Sequence, residues 1–171
     1  GRFGVSMDIS GDSAIISAAP TRGRQSEEAY IFRRHANSGV WAQEARLERR
    51  FGWLVAIDGD LAAAVSRNSV SLRVVVEFYR HTTVGWVLEH RFVPGNGEGF
   101  ITSLDISNGR IAIGTHRDDD AGSMSLSAKI YRPTAASPGF EAEVRMRHPV
   151  SSLRSTGLSL DGDRILISGE K

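Results

Sequence analysis

No cysteine occurs in the 171 residues, which excludes a disulfide framework, a thiolate metal site and a cysteine nucleophile within them. An excess of either charge is also lacking: 21 basic residues against 20 acidic ones leave a formal net charge of +1, too little to steer the chain toward nucleic acid or an anionic membrane. Lysine is nearly missing, because all basic residues but Lys129 and Lys171 are arginines. These arginines alternate with acids along strand-like segments, which reads as solvated strand faces rather than an anion site. Proline is scarce, 5 residues against 18 glycines, a balance that suits many short strands joined by tight turns. No apolar run approaches the roughly 20 residues that a membrane-crossing helix needs. No signal peptide is evident, although a chain opening on Gly1 rather than Met gives that little weight.

What is present is a repeat. Phe51-Gly52 through Val65 reads as an apolar strand, a reversal at Asp58-Gly59 and a second apolar strand. The same pattern starts at Phe3 and at Phe100, and again, shortened, at Arg154. Aligned on Ile9, Ile57, Ile106 and Leu160, the units are 48, 49 and 54 residues apart, a period that marks a repeat architecture. With 40% hydrophobic and 24% charged residues, the composition is that of an ordered chain able to bury one sizeable core.

Four apolar segments recur in each unit. The first alternates (Val5, Met7, Ile9; Trp53, Val55, Ile57; Leu104, Ile106; Leu158, Leu160), as a strand with one buried face does. It ends in Gly, Asn and Asp turns that tolerate the positive φ of a tight hairpin. The second is continuously apolar (Ala14 to Ile16, Ala62 to Val65, Ile111 to Ile113, Ile165 to Ile167) and predicts a strand covered on both faces. Connections of varying length follow, then a third segment ending in Phe32, Tyr79 or Tyr131, each followed by Arg. The fourth starts at Trp41, Trp86 or Phe140 and mixes apolar with charged residues, the pattern of an outer strand protected at its edge.

Each unit thus predicts a four-stranded antiparallel meander, and radial repetition of such sheets makes a β-propeller. The expected fold is all-β, about three blades (residues 3–50, 51–98 and 99–153) and a partial fourth (154–171), in one repeat domain. A β-trefoil is the alternative, disfavoured by the fourth start at Arg154. The incomplete last unit predicts a fragment of a larger propeller, or a chain completed by another copy, and marginal or oligomeric behaviour in isolation.

Phe3-Gly4 through Pro20, Ala29 through Phe32-Arg33, and Trp41 through Gln43 to Leu47 together resemble the FG-GAP repeat family, the integrin-α-like propeller blades in their bacterial form. The second unit keeps Phe51-Gly52, Asp58-Gly59-Asp60 and Trp86 but reads Ser66-Arg67-Asn68 in place of the GAP segment. The third has Phe100-Ile101 and Gly114-Thr115-His116 instead. The resemblance implies a non-catalytic interaction scaffold that presents loops to a protein or glycan partner, outside the cell or on its surface. Blades of this family often carry a calcium loop between their first two strands. Here that position holds only short Ser-Gly-Asp or Asp-Gly-Asp turns, too few ligands for a cation that takes about six to eight oxygens, so no metal is carried over.

The residues themselves offer little chemistry. Asp58/Asp60 and Asp161/Asp163 could be read as paired carboxylates, but their recurrence at one turn position marks turn chemistry. His35, His81, His90, His116 and His148 lack metal-ligand spacing, and His35 and His81 read as turn or surface residues. Asp118 and Asp120, in the run before Gly122, form the single local pattern resembling a cation loop, without the further ligands such a site requires. Trp41, Trp53 and Trp86 recur at repeat positions, which favours packing over sugar stacking. No catalytic residue and no cofactor is expected. The rival functions are the propeller portion of an extracellular hydrolase and a structural subunit of a larger assembly.

Overall fold

The structure, a computed structural model, describes residues 2–19, 28–48, 51–67, 74–93, 100–116, 126–134, 139–147 and 156–169. Every regular element among them is a β-strand. The strands form four antiparallel sheets, each a meander in chain order and none closed on itself. The first holds β1 (Arg2–Ser10), β2 (Ser13–Ala19), β3 (Glu28–Arg34) and β4 (Trp41–Glu48). The second holds β5 (Phe51–Asp58), β6 (Leu61–Arg67), β7 (Val74–Thr82) and β8 (Gly85–Phe92). The third holds β9 (Phe100–Ser107), β10 (Arg110–His116), β11 (Leu126–Pro133) and β12 (Phe140–Arg147). β13 (Thr156–Asp161) and β14 (Arg164–Gly169) pair alone. The expected all-β class and strand order are therefore present. Two compact units divide the chain, residues 1–91 and 92–171.

The hairpin reversals follow the turn residues. Gly11, Gly59 and Gly162 sit at φ +57°, +56° and +59° in the first turn of their sheets. At the equivalent place the third sheet has Asn108, at φ 51°, the non-glycine residue type that best tolerates this region.

The Phe-Gly start of the repeat also has a structural reason. Phe3 pairs with Ala18 and Met7 with Ile16, so Gly4, Val5 and Ser6 lie opposite Ser17 alone, a bulge. Gly4 takes φ +83° within it, which a side chain would resist. Ser17 fills the irregularity: its hydroxyl accepts the Ser6 N–H at 2.9 Å and donates to the Ser6 carbonyl at 3.2 Å. β5 has the same offset between Phe51 and Val55. β9 has Ile101 where the others have glycine, and there only Thr102 is left over between two paired residues. Without a glycine the bulge shrinks.

In the first compact unit the two sheets pack face to face. Ile15, Ala29, Ile31 and Leu47 of the first sheet meet Val55, Ile57, Ala62, Ala64 and Tyr79 of the second. Complete burial of an aliphatic side chain of this kind stabilises the fold by about 1.5–3 kcal/mol. In the second compact unit Ala112 and Ile130, flanked by Met146, pack against Leu160, flanked by Leu158 and Ile165. Position by position in the repeat, these are the same contacts: Ala112 corresponds to Ile15, Ile130 to Ile31, Met146 to Leu47, Leu158 to Val55, Leu160 to Ile57 and Ile165 to Ala62.

One expectation needs correction. β6 and β10 are buried on both faces, as the continuous apolar segments predict, but β2 and β14 are not. Ala14 and Ile16 are half-buried, and Leu166 and Ile167 are exposed. Their apolar runs predict two covering layers; among the described residues the Ile16 face of the first sheet and the Leu166 face of the β13–β14 pair carry none, and Ile167 is exposed although it lies on the opposite face, with Leu158 and Ile165.

Candidate functional site

Two kinds of polar arrangement stand out, both at junctions between sheets. The first is a ladder of side chains on the opening strands. Within β1, Met7 and Ile9 alternate with Ser6, Asp8 and Ser10, which point toward β5. Ser6 Oγ accepts the Val55 N–H at 3.2 Å, Asp8 Oδ2 the Ile57 N–H at 2.7 Å and Ser10 Oγ the Gly59 N–H at 3.1 Å. β9 repeats the row as Ser103, Asp105 and Ser107. Asp105 Oδ2 accepts the Leu160 N–H at 2.6 Å and Ser107 Oγ the Gly162 N–H at 2.9 Å. Here the Ser103 hydroxyl is buried without a hydrogen bond. These bonds use the N–H groups along the free edges of β5 and β13, the first strands of their sheets. Ser-x-Asp-x-Ser in both β1 and β9 is the signal, in the sequence, that the apolar alternation alone passes over.

The second arrangement joins the third and fourth strands of the first sheet to the second. Arg33 Nε donates to both Glu44 oxygens, at 3.0 and 3.2 Å. Trp86 Nε1 donates to Glu44 Oε2 at 2.9 Å, across the two sheets. His81 Nε2 lies 3.2 Å from Glu44 Oε1, and its Nδ1 lies 3.7 Å from Asp60 Oδ1. The His81 ring is tilted on the Trp86 indole with centroids 5.3 Å apart. Burial pushes the Glu44 pKa up, but the Trp86 and Arg33 hydrogen bonds and the charges of Arg33 and His81 outweigh it and hold the carboxyl below the ordinary glutamate value. A carboxylate so poised stays ionised near neutral pH, and a proton-transfer group needs a pKa close to the working pH. The cluster is therefore suited to fastening sheets. His81, expected in a turn or on the surface, lies within β7 and belongs to this junction.

The remaining sequence candidates separate. Asp58 closes β5 and accepts from Ser10 Oγ at 3.4 Å, while Asp60 is in the turn beside Arg33 and His81. Asp161 ends β13 and Asp163 is in its turn. His35 is exposed after β3, and the Trp41 side chain is exposed at the start of β4. Asp118, Asp120 and His148 lie outside the described residues, as does the Trp53 side chain.

Among the described residues two charged side chains are buried, Glu77 and Lys129, and no sequence pattern announces them. Glu77 of β7 is buried, accepts the Tyr79 hydroxyl at 2.9 Å and pairs with Arg91 Nε at 2.8 Å. On the outer surface, Arg80–Glu89 repeats the third-to-fourth-strand pairing of Arg33 with Glu44, while Arg132 pairs with Glu141, two residues before the Glu44 equivalent Glu143, which pairs with Arg110.

No family model matches the chain, and no curated protein matches it. Among solved structures it is similar to a protein of unknown function from Bacteroides fragilis NCTC 9343, at 12% identity over 79% of this chain and 92% of that one, with a TM-score of 0.31. A likeness of that degree carries no argument about fold or function.

Proposed function

We propose that the chain is a run of integrin-α-like FG-GAP propeller blades and acts as a non-catalytic scaffold, binding a protein or glycan partner through its connecting loops, outside the cell or on its surface. The observation that carries this reading is the repeated junction. In each compact unit the Ile15-type face of one meander packs on the Val55/Ile57-type face of the following sheet, with a Ser-x-Asp-x-Ser row bonding to its first strand. Successive four-stranded meanders stacked by one recurring interface are the building plan of a propeller. A constant scaffold with connections of unequal length is how repeat proteins vary their binding surfaces.

The test is a binding screen of the chain against immobilised glycans and extracellular-type peptides. Residues 20–27 or 117–125 would be replaced by Gly-Ser segments of equal length, with circular dichroism as the fold control. Binding lost on replacement with the fold retained supports the scaffold. Turnover of ester or glycoside substrates, abolished by one polar substitution, would instead support the hydrolase alternative.

A further inference from the structure

Two of the hairpin turns carry an Asp-Gly pair, Asp58-Gly59 after β5 and Asp161-Gly162 after β13. Asp-Gly is a chemically weak point of a polypeptide, because a glycine has no side chain to shield its own amide nitrogen. That nitrogen can attack the neighbouring side-chain carboxyl, and the order of bonds in the main chain then changes. Both glycines are held by a serine of the preceding sheet. Ser10 Oγ accepts the Gly59 N–H at 3.1 Å and Ser107 Oγ the Gly162 N–H at 2.9 Å. Ser10 Oγ also donates to Asp58 Oδ1 at 3.4 Å, so one hydroxyl touches both groups that the reaction would join.

The reaction balances with water as its sole co-reactant. The Gly59 nitrogen gives up its proton and bonds to Asp58 Cγ, the Cγ–OH bond of the protonated carboxyl breaks, and water leaves a cyclic succinimide behind. Water then opens the ring. Breaking the bond from the nitrogen to Cγ restores aspartate. Breaking its bond to the main-chain carbonyl carbon gives isoaspartate, with the main chain rerouted through Cβ and Cγ. Attack requires the Asp58-Gly59 peptide plane to turn its nitrogen toward Cγ, a local opening that breaks the bond to Ser10. Gly59 and Asp161 are exposed, so water reaches both turns.

We propose that Asp58-Gly59 and Asp161-Gly162 are isoaspartate-forming modification sites kept closed by the Ser10 and Ser107 hydroxyls, each junction protecting the first turn of the sheet it fastens. The product undoes the same junction: an added methylene in the main chain carries the glycine N–H out of register with its serine, and that hydrogen bond is lost. Each guard lies inside one compact unit, and neither requires a loop-bound partner.

Isoaspartate accumulation in the full chain, held at neutral pH and physiological temperature, tests it. Fragmentation mass spectrometry reads each site, and synthetic peptides spanning residues 55–63 and 158–166 set the unrestrained rates. Wild type is expected to convert more slowly than the peptides at both sites. Ser10→Ala should speed conversion at Asp58 by about 2–12-fold, the factor that one neutral hydrogen bond corresponds to, and leave Asp161 unchanged. Ser107→Ala should do the reverse, and Ser10→Thr, which keeps the hydroxyl, should stay at the wild-type rate. Wild type as fast as the peptides overturns the proposal, as does an alanine variant whose own site converts no faster than in wild type. Ser10→Thr as fast as Ser10→Ala, or acceleration at both sites in either alanine variant, also overturns it, the latter marking general loosening instead of a local guard. Should one alanine variant lose its circular dichroism spectrum the other decides, and loss in both overturns the guard.

Discussion

Asp8 joins its own strand to Ile57 of the next sheet: one carboxylate oxygen accepts the Ile9 N–H at 2.8 Å and the other the Ile57 N–H at 2.7 Å. Asp105 does the same for Ile106 and Leu160, at 2.8 and 2.6 Å. An ionised acceptor strengthens such bonds, and removing it strands a buried N–H. Asp8→Ala is expected to destabilise the chain by about 1–3 kcal/mol. Asp8→Asn, which keeps one acceptor oxygen, should cost less. Urea midpoints measure both; an Asp8→Ala protein as stable as wild type would mean that the bond contributes nothing net.

The turn equivalence of Gly59 and Asn108 makes a sharper test of backbone geometry. Gly59 has φ +56°, and nothing lies within 4 Å of the place a Cβ would take, so a substitution there meets conformational strain and no clash. Gly59→Asn should lower stability by less than about 1 kcal/mol, and Gly59→Val by about 1–2 kcal/mol or more. Thermal melts compare them, and equal losses would show that the turn does not hold this conformation in solution.

Glu77 tests a buried charge. Truncation to Ala removes the Arg91 pair and the Tyr79 acceptor together and leaves the Tyr79 hydroxyl, at a buried residue, without that bond. A loss of about 2–4 kcal/mol is expected. Glu77→Gln retains an acceptor for Tyr79 and should lose less. Denaturation of the two variants side by side separates hydrogen bond from charge, and equal losses would assign the whole effect to the Arg91 pair.

Glu44 sets a pH dependence. Its folded pKa lies below the ordinary glutamate value, so its contribution is fully present above the unfolded pKa of about 4.3 and is lost as the pH falls through the lower folded value. Wild type should therefore exceed Glu44→Gln in stability most at neutral pH, with the gap narrowing in acid below that unfolded value. A gap independent of pH would contradict the assignment.

The fold was legible to the extent that it is local. Period-two alternation in Met7–Ile9 or Leu158–Leu160 and turn residues at Gly11, Gly59, Asn108 and Gly162 specify strands and reversals from neighbours in sequence alone. The candidate junctions were less legible because their partners lie far apart. Ser6, Asp8 and Ser10 look like ordinary solvent-facing strand residues until β5 is laid against them. His81 looks like a residue after a strand until Glu44 and Trp86 arrive from other strands.

By itself, the order of residues determined that this protein is built of repeated antiparallel hairpins, because side-chain alternation and positive-φ turns are set within a few residues. Only the tertiary structure decided which apolar faces are covered. Ile57 and Ile9 are the same residue in the same local pattern, yet one is buried and the other exposed, because burial depends on whether another sheet occupies the space above it.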